Sequence, residues 1–183
     1  MNKILIIIST ILLLIVIPFD VNYLNYSSPI EYSNYKNISL EDFKGLNRIN
    51  NTLDGSNEFA FINTEIKFIG DDYPYVKTFF HPSRSYVYDD NKNLIGNRKL
   101  LTHELYHFHI TEYIARKMRK EITKIKNNKE EVNISKLMEF YKEEENKMQK
   151  RYDEETYHSY YIGEQLKWQK NIDSLLNTLK KYK

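Results

Sequence analysis

Three of the five histidines of this chain fall within seven positions, in "LLTHELYHFHITEYIARKMRKEI" (residues 100–122). Two of them, His103 and His107, flank a glutamate in the order His-Glu-Leu-Tyr-His. On a helix, residues four apart lie one turn above each other on the same face. Both imidazoles can then reach one ion at the Zn–N distance of about 2.0–2.1 Å. Glu104 stands beside them, placed to take a proton from a water that the cation acidifies. The pattern therefore predicts a Zn2+ site at His103 and His107 with Glu104 as general base.

The flanks support a helix with a covered metal face. Leu101, Leu105, Phe108, Ala115, Met118, Ile122 and Ile125 recur at three- and four-residue steps, as a core stripe does. Leu100, Ile110 and Ile114 surround the histidines on the other side, and within this stretch basic residues arrive only from Arg116 onward. Buried imidazole without a partner is costly, and a shared cation would satisfy both rings.

A catalytic zinc keeps three protein ligands and an open position. A ligand six residues past the second histidine would be Tyr113, and Ile110 stands where a glycine is needed, so the long metzincin pattern is excluded. His158, in "YDEETYHSYY", is the preferred third ligand, with Asp153 at hand to orient it. His81 and the carboxylates Glu154, Glu155 and Glu164 are the alternatives. His109 points away from the His103/His107 face. Tyr157, Tyr160 and Tyr161 are candidates for stabilising an oxyanion.

Around this motif the elements read as follows. Residues 4–19, "ILIIISTILLLIVIPF", form an apolar run behind Lys3, which predicts a signal peptide or N-terminal membrane anchor over residues 1–19. Residues 20–37 read as a linker, and residues 38–183 as one domain. Segments 58–70, 75–82 and 83–90 carry strand patterns. Asn97 is the candidate cap for the histidine helix, and two further helices follow, around Leu137–Tyr152 and from Ile162 to the end. Strands first and helices after predict an α+β fold: a small N-terminal antiparallel sheet, then a zincin-like helical part carrying the His-Glu-x-x-His helix. Strand 75–80 is a candidate to pair with an extended peptide.

Composition narrows the function class. Of 183 residues, 28% are charged and 41% hydrophobic, which suits a globular domain. The net charge of +2 comes from interspersed acids and bases, without the basic stripe of a nucleic-acid binder. The absence of cysteine excludes disulfides, thiolate metal sites and a Cys nucleophile.

Several stretches, in order, resemble one family: bacterial secreted proteins grouped as domain of unknown function 922 and described as predicted zinc-dependent proteases. "ISLEDFKGL" is similar to its Leu-x-Trp-x-Asp-Phe-x-Gly opening, without the Trp. "FAFINTEIKF" and "FFHPSRSYVY" resemble its two strand motifs, with Tyr86 for Trp in the second. "LLTHELYHFHITEYIARKMRKEI" resembles Leu-Leu-x-His-Glu-Gln-x-His-Phe-Asp-Ile-x-Glu-x-x-Ala-Arg-x-x-Arg. "YDEETYHSYYIGEQLKWQKNI" resembles Tyr-Asp-x-Glu-Thr-x-His-Gly followed by Gln-x-x-Trp. Leu105, His109 and Ser159 depart from Gln, Asp and Gly. The resemblance spans about residues 38–180. It implies zinc at His103 and His107, Glu104 as base, and functional roles for Asp153, Thr156 and His158.

Together these observations predict an exported zinc-dependent peptidase, periplasmic, cell-envelope or secreted. Its partners would be a peptide or protein substrate and, through the N-terminal segment alone, a membrane. The alternative is an envelope-located binding or scaffold protein whose zinc site is structural or inactive.

Overall fold

The computed structural model describes residues 26–45, 60–87 and 94–183. The apolar segment 4–19 lies outside the described residues. No helix among the described residues is long and apolar enough to cross a membrane.

The chain is α+β. Among the described residues, strands β1 (Ile30–Glu31), β2 (Ala60–Phe61), β3 (Thr64–Ile69), β4 (Tyr75–Phe80) and β5 (Tyr86–Val87) precede three α-helices. The helices are α1 (Leu94–Asn127), α2 (Ile134–Thr156) and α3 (Ile162–Thr178). One antiparallel sheet has the order β1-β4-β3, and β2 pairs with β5 in a second. In the first, Thr64 faces Phe80 and Ile69 faces Tyr75. The expected strand over 58–70 is thus split at Ile62–Asn63, because β2 and β3 join different sheets. Strand β4 is the central strand of its sheet, so it is a poorer edge for a peptide than the sequence suggests.

Residues 30–37, expected as linker, pack instead. Ile30 and Glu31 pair with Phe80 and Phe79, and the following 3-10 turn buries Tyr32 against Phe108 of α1. Tyr residues supply large apolar area, which offsets the lack of any sequence period here. Helix α1 begins at Leu94, so Asn97 lies inside its first turn rather than capping it. Gly96 and Asn97 are weak helix formers, yet a helix of 34 residues tolerates them in its first turn. Asn133 does cap α2, accepting from the Lys136 amide at 2.9 Å.

Helix α1 is the spine, and it is enclosed on several sides. Leu101, Leu105 and Phe108 pack with Tyr32, Ile38, Phe43 and Phe80. Ile114, Met118 and Ile122 meet Val76 and Tyr141. Ile110 joins Tyr152, Trp168, Ile172 and Leu176 from the other two helices. A helix contacted this way must be apolar nearly all round.

One buried charge cluster ties these layers together. Glu112, 2% exposed, receives Arg116 Nε at 2.9 Å, Arg119 Nη1 at 2.8 Å and the Thr78 hydroxyl at 2.7 Å. The two arginines also donate to the carbonyls of Leu176, Val76 and Tyr182. The Glu112–Arg116 spacing looks like an ordinary surface pair in the sequence, but it sits at a junction of α1, β4, α3 and the C-terminus. Glu112→Gln leaves two guanidinium groups short of their counter-charge, and is expected to cost about 3–5 kcal/mol in urea-unfolding free energy.

Candidate metal centre

The helix register does what the sequence asks of it. His103 and His107 lie one turn apart on α1, with their Nε2 atoms 3.2 Å from each other. Helix α2 brings Asp153 across to them. Its Oδ1 lies 3.1 Å from His103 Nε2 and 2.9 Å from His107 Nε2. These three residues form a group that could hold a metal ion. Donors on a tetrahedral zinc at about 2.0–2.1 Å stand roughly 3.3 Å apart, close to the spacing found.

The site is buried at His103 and Glu104 and half-buried at His107 and Asp153, which border the cleft. His103 is 2% exposed and Glu104 4% exposed. The Tyr152 ring stacks on His103 at 4.6 Å and meets His107 edge-on at 4.9 Å. Trp168 packs behind Tyr152, its indole donating to Glu155 at 2.8 Å, so Trp168 belongs to the core. The histidines, Glu104, Asp153 and His158 share a cleft of about 300 Å³. Its walls are segment 60–64 and the α2 residues Lys142, Glu145, Asn146 and Gln149.

Electrostatics distinguish the two rings. Burial lowers the affinity of His103 for a proton, and the Asp153 hydrogen bond offsets this only in part. Burial also acts against charge on His107, but Asp153, Glu104 and Gln149 outweigh it and push its pKa up to about 9. Burial opposes ionisation of Asp153, yet hydrogen bonds from His103 and His107 hold it well below the usual carboxylate range. A proton on His107 is therefore what the site holds at neutral pH when no cation is present. The same charge demand suits a divalent ion. His103 Nδ1 is buried without a partner among the described residues.

A chain of hydrogen bonds fixes the His107 tautomer. Gln149 donates through Nε2 to the His107 carbonyl at 3.0 Å and to Thr111 Oγ1 at 3.2 Å. Its Oε1 must then face the ring, where it accepts from His107 Nδ1 at 2.6 Å. In the neutral ring this leaves the Nε2 lone pair turned to the centre. Thr111 in turn donates to Glu145 Oε1 at 2.7 Å and contacts the Thr64 hydroxyl at 2.7 Å.

Of the expected site residues, His103, His107 and Glu104 come together on α1. His158 lines the same cleft, with Nδ1 3.6 Å from Asp153 Oδ1, outside hydrogen-bond range. The third atom of the group is supplied by Asp153, expected to be its orienting partner. His81 is elsewhere, bound to Glu65 at 2.6 Å. Glu155 pairs with Arg151, Glu154 with Lys150 and Glu164 with Lys167. His109 faces away, with Nδ1 2.9 Å from the Tyr32 hydroxyl. Tyr157, Tyr160 and Tyr161 are exposed and do not line the cleft. Thr156 closes the last turn of α2, donating to the Tyr152 carbonyl at 2.6 Å. Gln149 and the ligand role of Asp153 escape the sequence reading. Their i, i+4 spacing, matched to that of His103 and His107, is the signal that finds them.

The sign of the pH effect follows from these shifts. The folded pKa of His107, about 9, lies above its ordinary 6.5. Its pairing with Asp153 thus stabilises the metal-free protein fully below about 6.5 and fades as pH rises through about 9. NMR titration of the metal-free protein should place the His107 midpoint near 9, and Asp153→Asn should bring it down. Gln149→Leu removes the tautomer lock and should weaken zinc affinity about 10–100-fold by competition titration.

Comparisons with protein-family models, with curated proteins and with solved structures return no match for this chain, so the chemistry of the site itself carries the assignment.

Proposed function

We propose that this chain is an exported zinc-dependent hydrolase of peptide bonds, with a zincin-like helical part. The observation that carries the reading is the triangle of His103 Nε2, His107 Nε2 and Asp153 Oδ1, buried at His103 and half-buried at the other two, with a buried glutamate next in sequence to its first member. The resemblance of the two helical motifs to predicted zinc-dependent proteases supports it. So does the apolar run at 4–19, which suits export.

The residues fit a zinc ion. Two neutral imidazoles and one carboxylate are among its preferred ligands, and the third donor comes from a second helix, leaving the cleft side open. Bound there, zinc would supply a Lewis acid that polarises the scissile carbonyl and acidifies water. Glu104 accepts a proton from the attacking water and delivers it to the leaving amine as the C–N bond breaks. Gln149 holds the His107 ring in its binding tautomer, and Tyr152 excludes water behind both rings. Segment 60–64 lines the cleft and runs into β3, the edge strand of its sheet. It offers a wall along which an extended peptide can lie.

His158 favours a second reading. It sits one short step from Asp153, and a fourth protein donor would close the coordination sphere, as in a structural site of an envelope binding or scaffold protein. The two readings separate on two variants. For a hydrolase, Glu104→Gln keeps stoichiometric zinc and lowers peptide turnover about 10²–10⁴-fold. His158→Ala then keeps zinc as well. Zinc lost from His158→Ala, with no turnover in the parent protein on a peptide library, marks the closed structural site instead.

A further inference from the structure

A second pocket, of about 170 Å³, opens beside the metal cleft between β3 and α2. Thr64, Lys142 and Glu145 line both, so the two spaces adjoin. The floor of the second is Met118, Met138 and Ile66. It is apolar and, with two methionines, adaptable. At the boundary stands Glu145, its side chain 4% exposed.

The two oxygens of Glu145 have different tasks. Oε1 accepts from Thr111 and belongs to the support of His107. Oε2 meets Lys142 Nζ at 3.0 Å, a partner three residues back on the same helix whose side chain is 54% exposed. A nearly buried carboxylate needs a cation, and an exposed lysine holds that place weakly. The neighbouring cleft also carries Asp153 and Glu104, while Lys142 is the only lysine or arginine among its described lining residues. This bias occurs in a chain whose net charge is +2.

From these observations we propose that the pocket is a specificity subsite for a lysine or arginine side chain of the substrate. The methylene stem lies over Met118, Met138 and Ile66, and the cationic head displaces Lys142 from Glu145 Oε2. Long basic side chains bury their stems in this way while their heads stay paired. Glu145 meets α1 at Thr111, one turn or about 6 Å past His107. An extended peptide advances about 3.3 Å per residue, so the side chain belongs to a residue about two positions from the scissile bond. The inference rests on the peptidase reading, and it adds the substrate class.

The test uses the full chain carrying Glu104→Gln, loaded with zinc, so that binding is read without turnover. The probes are fluorescent alanine-rich decapeptides with one lysine, arginine or norleucine placed at each position in turn. Norleucine keeps the stem and drops the charge. Lysine and arginine peptides should bind about tenfold or more tightly than norleucine at one preferred position. Glu145→Gln should bring that ratio close to one, and Lys142→Ala should raise it. Norleucine binding as well as lysine, a ratio unmoved by Glu145→Gln, or no peptide binding at all would overturn the subsite. Zinc binding measured on the same protein tells these failures from a failure of the metal site: zinc retained without charge preference rejects the subsite alone.

Discussion

Two imidazole nitrogens 3.2 Å apart cannot both present bare lone pairs; a shared proton or a cation must lie between or beside them. That constraint organises this molecule. Burial of His103 leaves little water to relieve that conflict. Asp153, aimed at the same point, adds a negative charge that must also be balanced. A proton meets the demand in the metal-free protein, at the cost of charging a ring that burial disfavours. A divalent cation meets it with all three groups at once. The fold thus keeps an arrangement that is poor for packing and good for binding.

Holding that arrangement takes most of the structure. Helix α1 sets the spacing of the two rings by its pitch alone, so any kink near its first turns would break the pair. Helix α2 must run alongside in one register, because Gln149 and Asp153 reach the centre only if both face α1. Tyr152, between them in sequence, packs between the two rings and Trp168. The Glu112 cluster then fixes α1 against the sheet and the C-terminal helix. Stability and chemistry therefore share one helix: its inner faces serve the core, and the remaining face serves the cleft.

Much of this was legible in the residues, for identifiable reasons. The helical period from Leu100 onward is strong, and so is the spacing of His103, Glu104 and His107, since both depend on local geometry. The α+β order follows from strand patterns preceding helical ones. Less legible was whatever depends on partners distant in sequence. Tyr32 gives no periodic signal, yet the sheet edge and Phe108 bury it. Glu112 and Arg116 carry the spacing of a surface pair, and only the approach of β4 and α3 buries them. The carboxylate at the centre is Asp153 rather than one of its glutamate neighbours, because the shorter side chain faces α1 while Glu154 and Glu155 turn to surface partners. His158 sits in a turn where Tyr157, His158 and Ser159 all have positive φ, of 48°, 48° and 76°. Such backbone is sparsely populated without glycine, so its path is set by tertiary contacts and not by local preference.

The chemistry of the cleft requires that His103, His107 and Asp153 hold one divalent ion. The most direct measurement is anomalous diffraction at the zinc edge from crystals of the full chain loaded with one equivalent of zinc. The expected result is a single peak about 2.0–2.2 Å from both Nε2 atoms and from a carboxylate oxygen of Asp153. A peak coordinated by other residues, or none at the triangle while the protein is otherwise folded, would contradict it.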